Sequence, residues 1–553
     1  MSDGYDFSQL YHASLVRYSP GTTFLATLYQ NRIIIRSTAS LQIVRTWACH
    51  LPNTASSSRN TEDSLKIDYV EWSEDGLHLL VFSSTTKTAW VFGLASEGDG
   101  ESGKVARIGG QGMEGLVRVE WGKNGKQVMA WSDHSASLKL SIYDLSTGQT
   151  KVIQNSKSPY HCNTYSPDKR YLAIVEKHLG KEYIGVYDIL DSYNLLRHFQ
   201  LSTIDVQGIS WSPCGRYLAA WDSSLSYSIY IHSPLGPILA HFDHTSPTFS
   251  PMSTAEDPGL GIRTVTWAPG GRWLALGGWD GKVRILEHEG WRCIGVLSWR
   301  SRITEKDVTV WREPRDWVKD TRGRGIIQFD RIQPPTSIPT IRPDLSKPNP
   351  NMGVSHISFD RDGALVFVRL ESSPNVIHIY TFLKTPGSES PDISHLTGTI
   401  FENQIRSAEW CPSGKGRGRK LAVTCKTGAV YLWDEEGGGW EEEDTDGESE
   451  SREAGGRGGM MEGVGIPARS EFSASELHWA PDGSSVVIQD KSQFCLLYLN
   501  ETESDTADRS MRWDGTDEGL SHVVEEEEEE EYEEGWSGYG LGFKGGLVGA
   551  VRA

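Results

Sequence analysis

The chain has 553 residues, a formal net charge of −20 and 20 tryptophans. The charge is localised: residues 435–457 carry 10 acidic and 2 basic side chains and residues 514–534 carry 12 acidic and no basic ones, which together hold the whole imbalance. A formally neutral remainder has no global field to draw in nucleic acid or an anionic membrane, and no apolar run of about 18 residues predicts a membrane span.

Cys49, Cys162, Cys214, Cys293, Cys411, Cys425 and Cys495 are scattered without a C-x-x-C pair. That usage, with no signal peptide, fits a reducing compartment, cytosol or nucleus.

In chain order, residues 1–15 come first, and Leu10, Tyr11 and Leu15 are expected to supply an outer strand that closes the last repeat unit. A phrase then recurs: an apolar residue, a spacer, an aromatic, a small residue and a glycine about three positions later. Its aromatic anchors are Tyr18, Trp72, Trp121, Tyr165, Trp211, Trp267, Phe359, Trp410 and Trp479. The stretch Val265–Leu286 shows the unit in full. Val265 and Trp267 share one face of a strand, Pro269-Gly270-Gly271 ends it, and Trp273–Leu276 forms a second strand. Asp280-Gly281 then makes a hairpin expected to need positive φ at both central residues, and Val283–Leu286 forms a third strand.

Short antiparallel strands repeated with anchors such as Trp121, Tyr165 and Trp211, 44 and 46 residues apart, predict an all-β β-propeller. Nine anchors give about nine units in one ring, with two smaller propellers as the alternative. The anchors are read as packing between units rather than as ligand-stacking rings. The endings Trp433-Asp434, Tyr143-Asp144 and Tyr187-Asp188 resemble the Trp-Asp dipeptide of WD repeats, although the Gly-His element is mostly missing.

Two stretches interrupt the rhythm. The gap between Trp267 and Phe359 is about twice the usual spacing and ends in a proline-rich run, Gln333–Pro350. Residues 300–350 are expected to be an excursion over one face rather than a further blade. Residues 435–465 are charged and glycine-rich and are expected to be disordered. The propeller is therefore assigned to residues 1–500, and 501–553 to a disordered acidic and glycine-rich tail.

No motif calls for catalysis, a cofactor or a metal. Gly540–Gly545 matches G-x-G-x-x-G but follows no strand of a βαβ unit. Gly535–Tyr539 misses the G-x-S-x-G elbow at its last position. His241, Asp243 and His244 have no implied fourth ligand. The one compact basic cluster is Lys415, Arg417, Arg419 and Lys420, in the first turn of the eighth unit. Without interleaved aromatics it disfavours nucleic acid and reads first as a solvated hairpin tip, then as a dock for an acidic partner.

Beyond the repeat, several strings occur in order: Leu195–Phe199 (LLRHF), Gly208–Trp211 (GISW), Ala220–Asp222 (AWD), Asp280–Leu286 (DGKVRIL) with His288 and Trp291, and Asn349, Pro350 and Gly353. Leu41-Gln42-Ile43 also fits. Together they resemble the WRAP-type WD-repeat proteins of centrosomes and fungal spindle poles, over roughly residues 7–500. The resemblance implies a non-enzymatic scaffold of the cytoplasm and cytoskeleton, at the microtubule-organising centre. It would act with a coiled-coil anchoring adaptor, a minus-end-directed kinesin-14 and other spindle-pole components, anchoring spindle microtubule minus ends. It transfers no contact residues. The alternative is an RNA- or ribosome-associated propeller resembling the translation-factor propellers, binding through the basic cluster.

Overall fold

The computed structural model describes residues 5–50, 65–95, 103–109, 115–122, 125–134, 137–249, 259–321, 324–344, 346–347, 350–383, 391–413, 419–436, 458–468 and 472–499. Among them, strands dominate, with one four-residue α-helix, Trp317–Asp320. No helix is long and apolar enough to cross a membrane.

Among the described residues the strands fall into nine successive antiparallel repeats, the third and fourth joined by a Ser156–Glu176 pair into one eight-stranded sheet. Their first strands are Leu15–Tyr18, Tyr69–Trp72, Leu116–Trp121, Asn163–Tyr165, Gly208–Trp211, Ile262–Trp267, Val354–Phe359, Ser407–Trp410 and Glu476–Trp479. Every one ends on a predicted anchor. The turn after the anchor explains the small residue that follows it. The hydroxyls of Ser19, Ser73, Ser166 and Ser212, and the carboxylate of Asp360, each accept from the backbone N–H five residues on, at 2.8–3.0 Å. That side-chain bond closes the turn and launches the second strand.

The Asp280-Gly281 hairpin departs from expectation. Only Gly281 has positive φ, at 76°, and Gly278 N–H donates to Lys282 O. The connection is a three-residue loop with one left-handed glycine, the bulged hairpin that is the next commonest solution.

Neighbouring units are held by shared apolar clusters. Trp47, Trp90 and Phe92 lie between units one and two, and Trp479 lies in the cluster of units eight and nine. Equivalent clusters join every pair between. Val487, Phe494 and Leu496 of the ninth unit pack on Val16 and Leu25 of the first. The packing order thus passes through nine units and returns to its start.

The amino-terminal segment completes the ninth sheet, but of the residues expected to do so only Tyr11 lies in a pairing strand: Leu10 lies outside the strands and Leu15 opens the first strand of unit one. Tyr5–Phe7 pairs with the carboxy-terminal strand Gln493–Leu499 (Tyr5 opposite Leu499), and Tyr11–His12 pairs with the other end of it.

The long excursion adds no unit of its own. Thr309–Arg312 runs parallel to Asp392–Ile400, the outer strand of unit seven, and carries Asp330–Ile332 on its far side. Ile326–Gln328 pairs with Met460–Gly465, the outer strand of unit eight. Buried Glu313 pins the segment down: it accepts from Trp317 Nε1 (2.8 Å), Tyr431 Oη (2.6 Å) and Glu402 N–H (2.7 Å). The strand Met460–Gly465 also corrects the expectation of disorder through residue 465. Met461 and Val464 are buried, and a Cβ at Gly463 would meet the Trp317 ring at 2.8 Å. The glycine that suggested disorder is there to admit an indole. Residues 437–457 and the tail 501–553 lie outside the described residues.

The excursion also shields two imidazoles. His378 is fully buried and its Nδ1 lies 3.2 Å from His395 Nε2, with the Trp299 ring 5.5 Å from His378. Burial lowers both pKa values, that of His395 to about 4. An unfolded histidine takes its proton near pH 6.5, so the unfolded state binds more protons below that pH. The stability these groups allow is complete above pH 6.5 and is lost as pH falls toward 4. Denaturant unfolding at pH 5 should give a lower stability than at pH 7, with about 1–2 kcal/mol of the difference absent in His395→Gln. An unchanged pH dependence in that variant would show that burial does not suppress protonation.

Candidate docking groove

The anchors do more than pack. Trp72 Nε1 donates to Arg17 O (3.1 Å), Trp121 to Glu71 O (3.0 Å), Trp410 to Ser358 O (3.0 Å) and Trp479 to Glu409 O (2.9 Å). Each acceptor directly precedes the anchor of the preceding unit. Tyr165 Oη reaches Met129 Sδ of unit three (3.3 Å), and the hydroxyls of Tyr18 and Ser485 are 3.0 Å apart, across the closure. Trp211 instead bonds Gly215 O of its own turn (3.0 Å). Trp267 Nε1 has no partner among the described residues, and Phe359 has no donor to offer. These bonds and shared clusters hold neighbouring units at fixed spacing, a rigid base for a surface site.

An apolar opening on that base lies between units four and five. It is a groove of about 500 Å³. Its floor holds the stacked rings of Tyr171 and Trp211, 6.5 Å apart and 14° from parallel. Its walls come from two anchor turns, with Pro167 and Pro213, and from the outer hairpins, with Leu196 and Leu235. Pro167 and Pro213 bring ring carbons and no backbone N–H to these walls. Leu196 is 42% exposed and Leu235 66%. Leu195 on the same outer strand, and Ile238 and Leu239 on the outer strand of unit five, are also exposed. A folded domain seldom leaves so many large aliphatics on adjacent outer strands without something to cover them. Cys214 sits at the groove edge. Burial raises its pKa, but hydrogen bonds from Ser212 and Arg216 outweigh that and bring the thiol below its ordinary value, which makes it a convenient reporter of occupancy.

The basic cluster is not the free patch that its sequence suggests. Arg419 pairs with Asp360 (2.7 Å) of the neighbouring unit and with Glu435 (2.8 Å), and Lys420 with Asp434 (2.7 Å). Lys415 and Arg417 lie outside the described residues. His241, Asp243 and His244 gather no metal site either: His241 stacks on Tyr230 with centroids 4.2 Å apart, and Asp243 accepts from the Thr245 and Ser246 side chains. The strings at 535–539 and 540–545 lie outside the described residues. Sequence reading missed the groove, although the paired leucines of Leu195–Phe199, polar-faced in an ordinary outer strand, were its visible sign.

The model of the WD domain, G-beta repeat, matches residues 250–286, across the sixth unit. The mouse WD repeat-containing protein WRAP73 is 26% identical over 515 residues, covering 90% of this chain and 96% of that protein. The chain is a WD-repeat protein. It is homologous to WRAP73 along almost its whole length. An uncharacterised WD repeat-containing protein of Schizosaccharomyces pombe is 23% identical over 48% of the chain and 51% of its own length. Among solved structures, the C-terminal WD40 domain of Sif2 (TM-score 0.43, 10% identical, covering 90% of this chain and 99% of that one) and a eukaryotic initiation factor (0.44, 13%, 76% and 85%) are similar. The matched repeat in the sixth unit, with the repeated antiparallel sheets and the packing of the ninth unit on the first, gives this WD-repeat protein the WD40 propeller fold.

Proposed function

We propose that this WD-repeat protein is a non-enzymatic scaffold of the microtubule-organising centre. It holds a coiled-coil anchoring adaptor and, with it, a kinesin-14 motor, and so anchors spindle microtubule minus ends. The observation that carries the reading is the apolar groove between units four and five, in a chain homologous to WRAP73 over 90% of its length. An adaptor helix offers leucines at i, i+3 and i+4, which suit a groove walled by Leu196 and Leu235 and floored by two stacked rings. The RNA-bound alternative relied on the basic cluster, and Arg419 and Lys420 already spend their charge within the chain.

Two measurements test the proposal. A fluorescently tagged chain should focus at the spindle poles in mitosis and should retrieve the adaptor and motor from dividing cells. Leu196→Glu combined with Leu235→Glu should weaken adaptor binding at least about tenfold, because a charge facing an apolar helix is left without a partner. Both leucines are exposed, so the melting temperature should not move. Adaptor binding that survives both charges would place the dock elsewhere, and a diffuse mitotic signal would remove the scaffold reading itself.

A further inference from the structure

We propose that Glu176, His178 and His198 form a zinc-binding site on the outer part of unit four. The three side chains come from one sheet. Glu176 and His178 sit on its second strand, Tyr171–His178, and His198 on its outermost, Asn194–Gln200, with Lys181–Asp188 between. Glu176 Oε2 lies 2.9 Å from His178 Nε2 and 3.3 Å from His198 Nε2, and all three ligand atoms fall within 4.8 Å of one another. A tetrahedron with zinc–ligand bonds of about 2.0–2.1 Å has edges of about 3.4 Å; both Glu176 contacts lie within about 0.5 Å of that edge, and the two imidazole nitrogens have at most about 1.4 Å to close. Two imidazole nitrogens and one carboxylate oxygen suit zinc and not magnesium or calcium, which take oxygen ligands. The histidine side chains are 36% and 33% exposed. The fourth position faces solvent and takes water.

The groups around the ligands hold them in place. Glu176 itself is buried. Its other oxygen, Oε1, accepts from Tyr187 Oη, leaving Oε2 for the metal. The carboxylate lies over Gly185, where a Cβ would overlap both it and the Tyr187 ring. Tyr183 stacks on His198 at 4.9 Å and 11°, and Asn155 Nδ2 lies 3.3 Å from His178 Nδ1. Ligand, orienting hydrogen bond and ring support are all present, as in sites where outer partners fix the first ligands.

The proton balance is simple. Without metal, each ring needs its proton on Nε2 to donate to Glu176. With zinc on Nε2, each neutral ring carries that proton on Nδ1 instead, exchanged through water, and no net proton is released. For His178 the Asn155 amide must then turn its oxygen toward Nδ1.

The test uses the full chain, stripped with a chelator and dialysed against zinc chloride with excess magnesium. We expect one zinc per chain above the content of His178→Ala/His198→Ala, and a rise in melting temperature with zinc that this double variant lacks. Cobalt should give the visible absorption of a four-coordinate ion in the wild type alone. Tyr187→Phe should keep the stoichiometry and weaken affinity about 10-fold, and His241→Ala/His244→Ala should change neither. Equal zinc content in the wild type and the His178→Ala/His198→Ala variant, each shown to be folded by circular dichroism, would overturn the assignment.

Discussion

Trp479→Ala should lower the unfolding free energy by about 3–5 kcal/mol. The side chain is 7% exposed and sits in the cluster that units eight and nine share, beside Leu477, Val486 and Leu497. Its removal leaves a cavity in a seam between two sheets that are already tied to other neighbours. Neither sheet can close the gap without pulling on the next, so relaxation is small and the cost falls toward the upper end of the range. The indole also donates to Glu409 O. Trp479→Phe keeps a six-membered ring but loses that bond and part of the buried ring system, and should cost about 1–3 kcal/mol, less than the alanine variant. Chemical denaturation of the two variants checks both values. A loss under about 1 kcal/mol for the alanine variant would mean that the anchors do not hold the units together.

Deleting residues 1–12 should cost about 4–6 kcal/mol and leave the protein prone to associate. Tyr5, Phe7 and Leu10 pack on the cluster of units eight and nine, and Tyr11 stacks on Phe494 at 5.6 Å. At about 1.5–3 kcal/mol for each fully buried large side chain, four partly buried ones give that figure. The backbone contribution comes on top. Gln493–Leu499 loses its pairing to Tyr5–Phe7 and Tyr11–His12, and Leu496 N–H loses the Ser8 hydroxyl at 2.9 Å. An unpaired, apolar strand edge recruits other strands. Thermal unfolding and light scattering of the truncated chain measure the two effects. A monomer with an unchanged melting temperature would show that the segment is ornamental.

The anchors were legible because the turn after them makes local demands at fixed offsets: an aromatic to end the strand, in five of the nine a hydroxyl or carboxylate to cap the turn, and in most a glycine to complete it. Features set by partners distant in sequence were not. Arg419 and Lys420 looked like half of a basic patch because Asp360, which neutralises one of them, stands in the preceding unit. Met460–Gly465 looked like the end of a low-complexity segment because the ring that Gly463 accommodates belongs to Trp317, far upstream. The groove needed Leu196 and Leu235 to be brought to one opening by two hairpins. The proposed zinc ligands needed the sheet register to bring His198 beside Glu176, 22 residues earlier. Residue types alone do not carry such distances.

The pairing of Tyr5 with Leu499 also has a temporal meaning. A ribosome adding about 5–20 residues per second takes about 25–100 s to travel from one to the other. For all that time the first strand has no mate, and the unit it completes does not exist. Its aromatic side chains, Tyr5, Phe7 and Tyr11, are therefore a natural place for a chaperone to hold the nascent chain until translation ends.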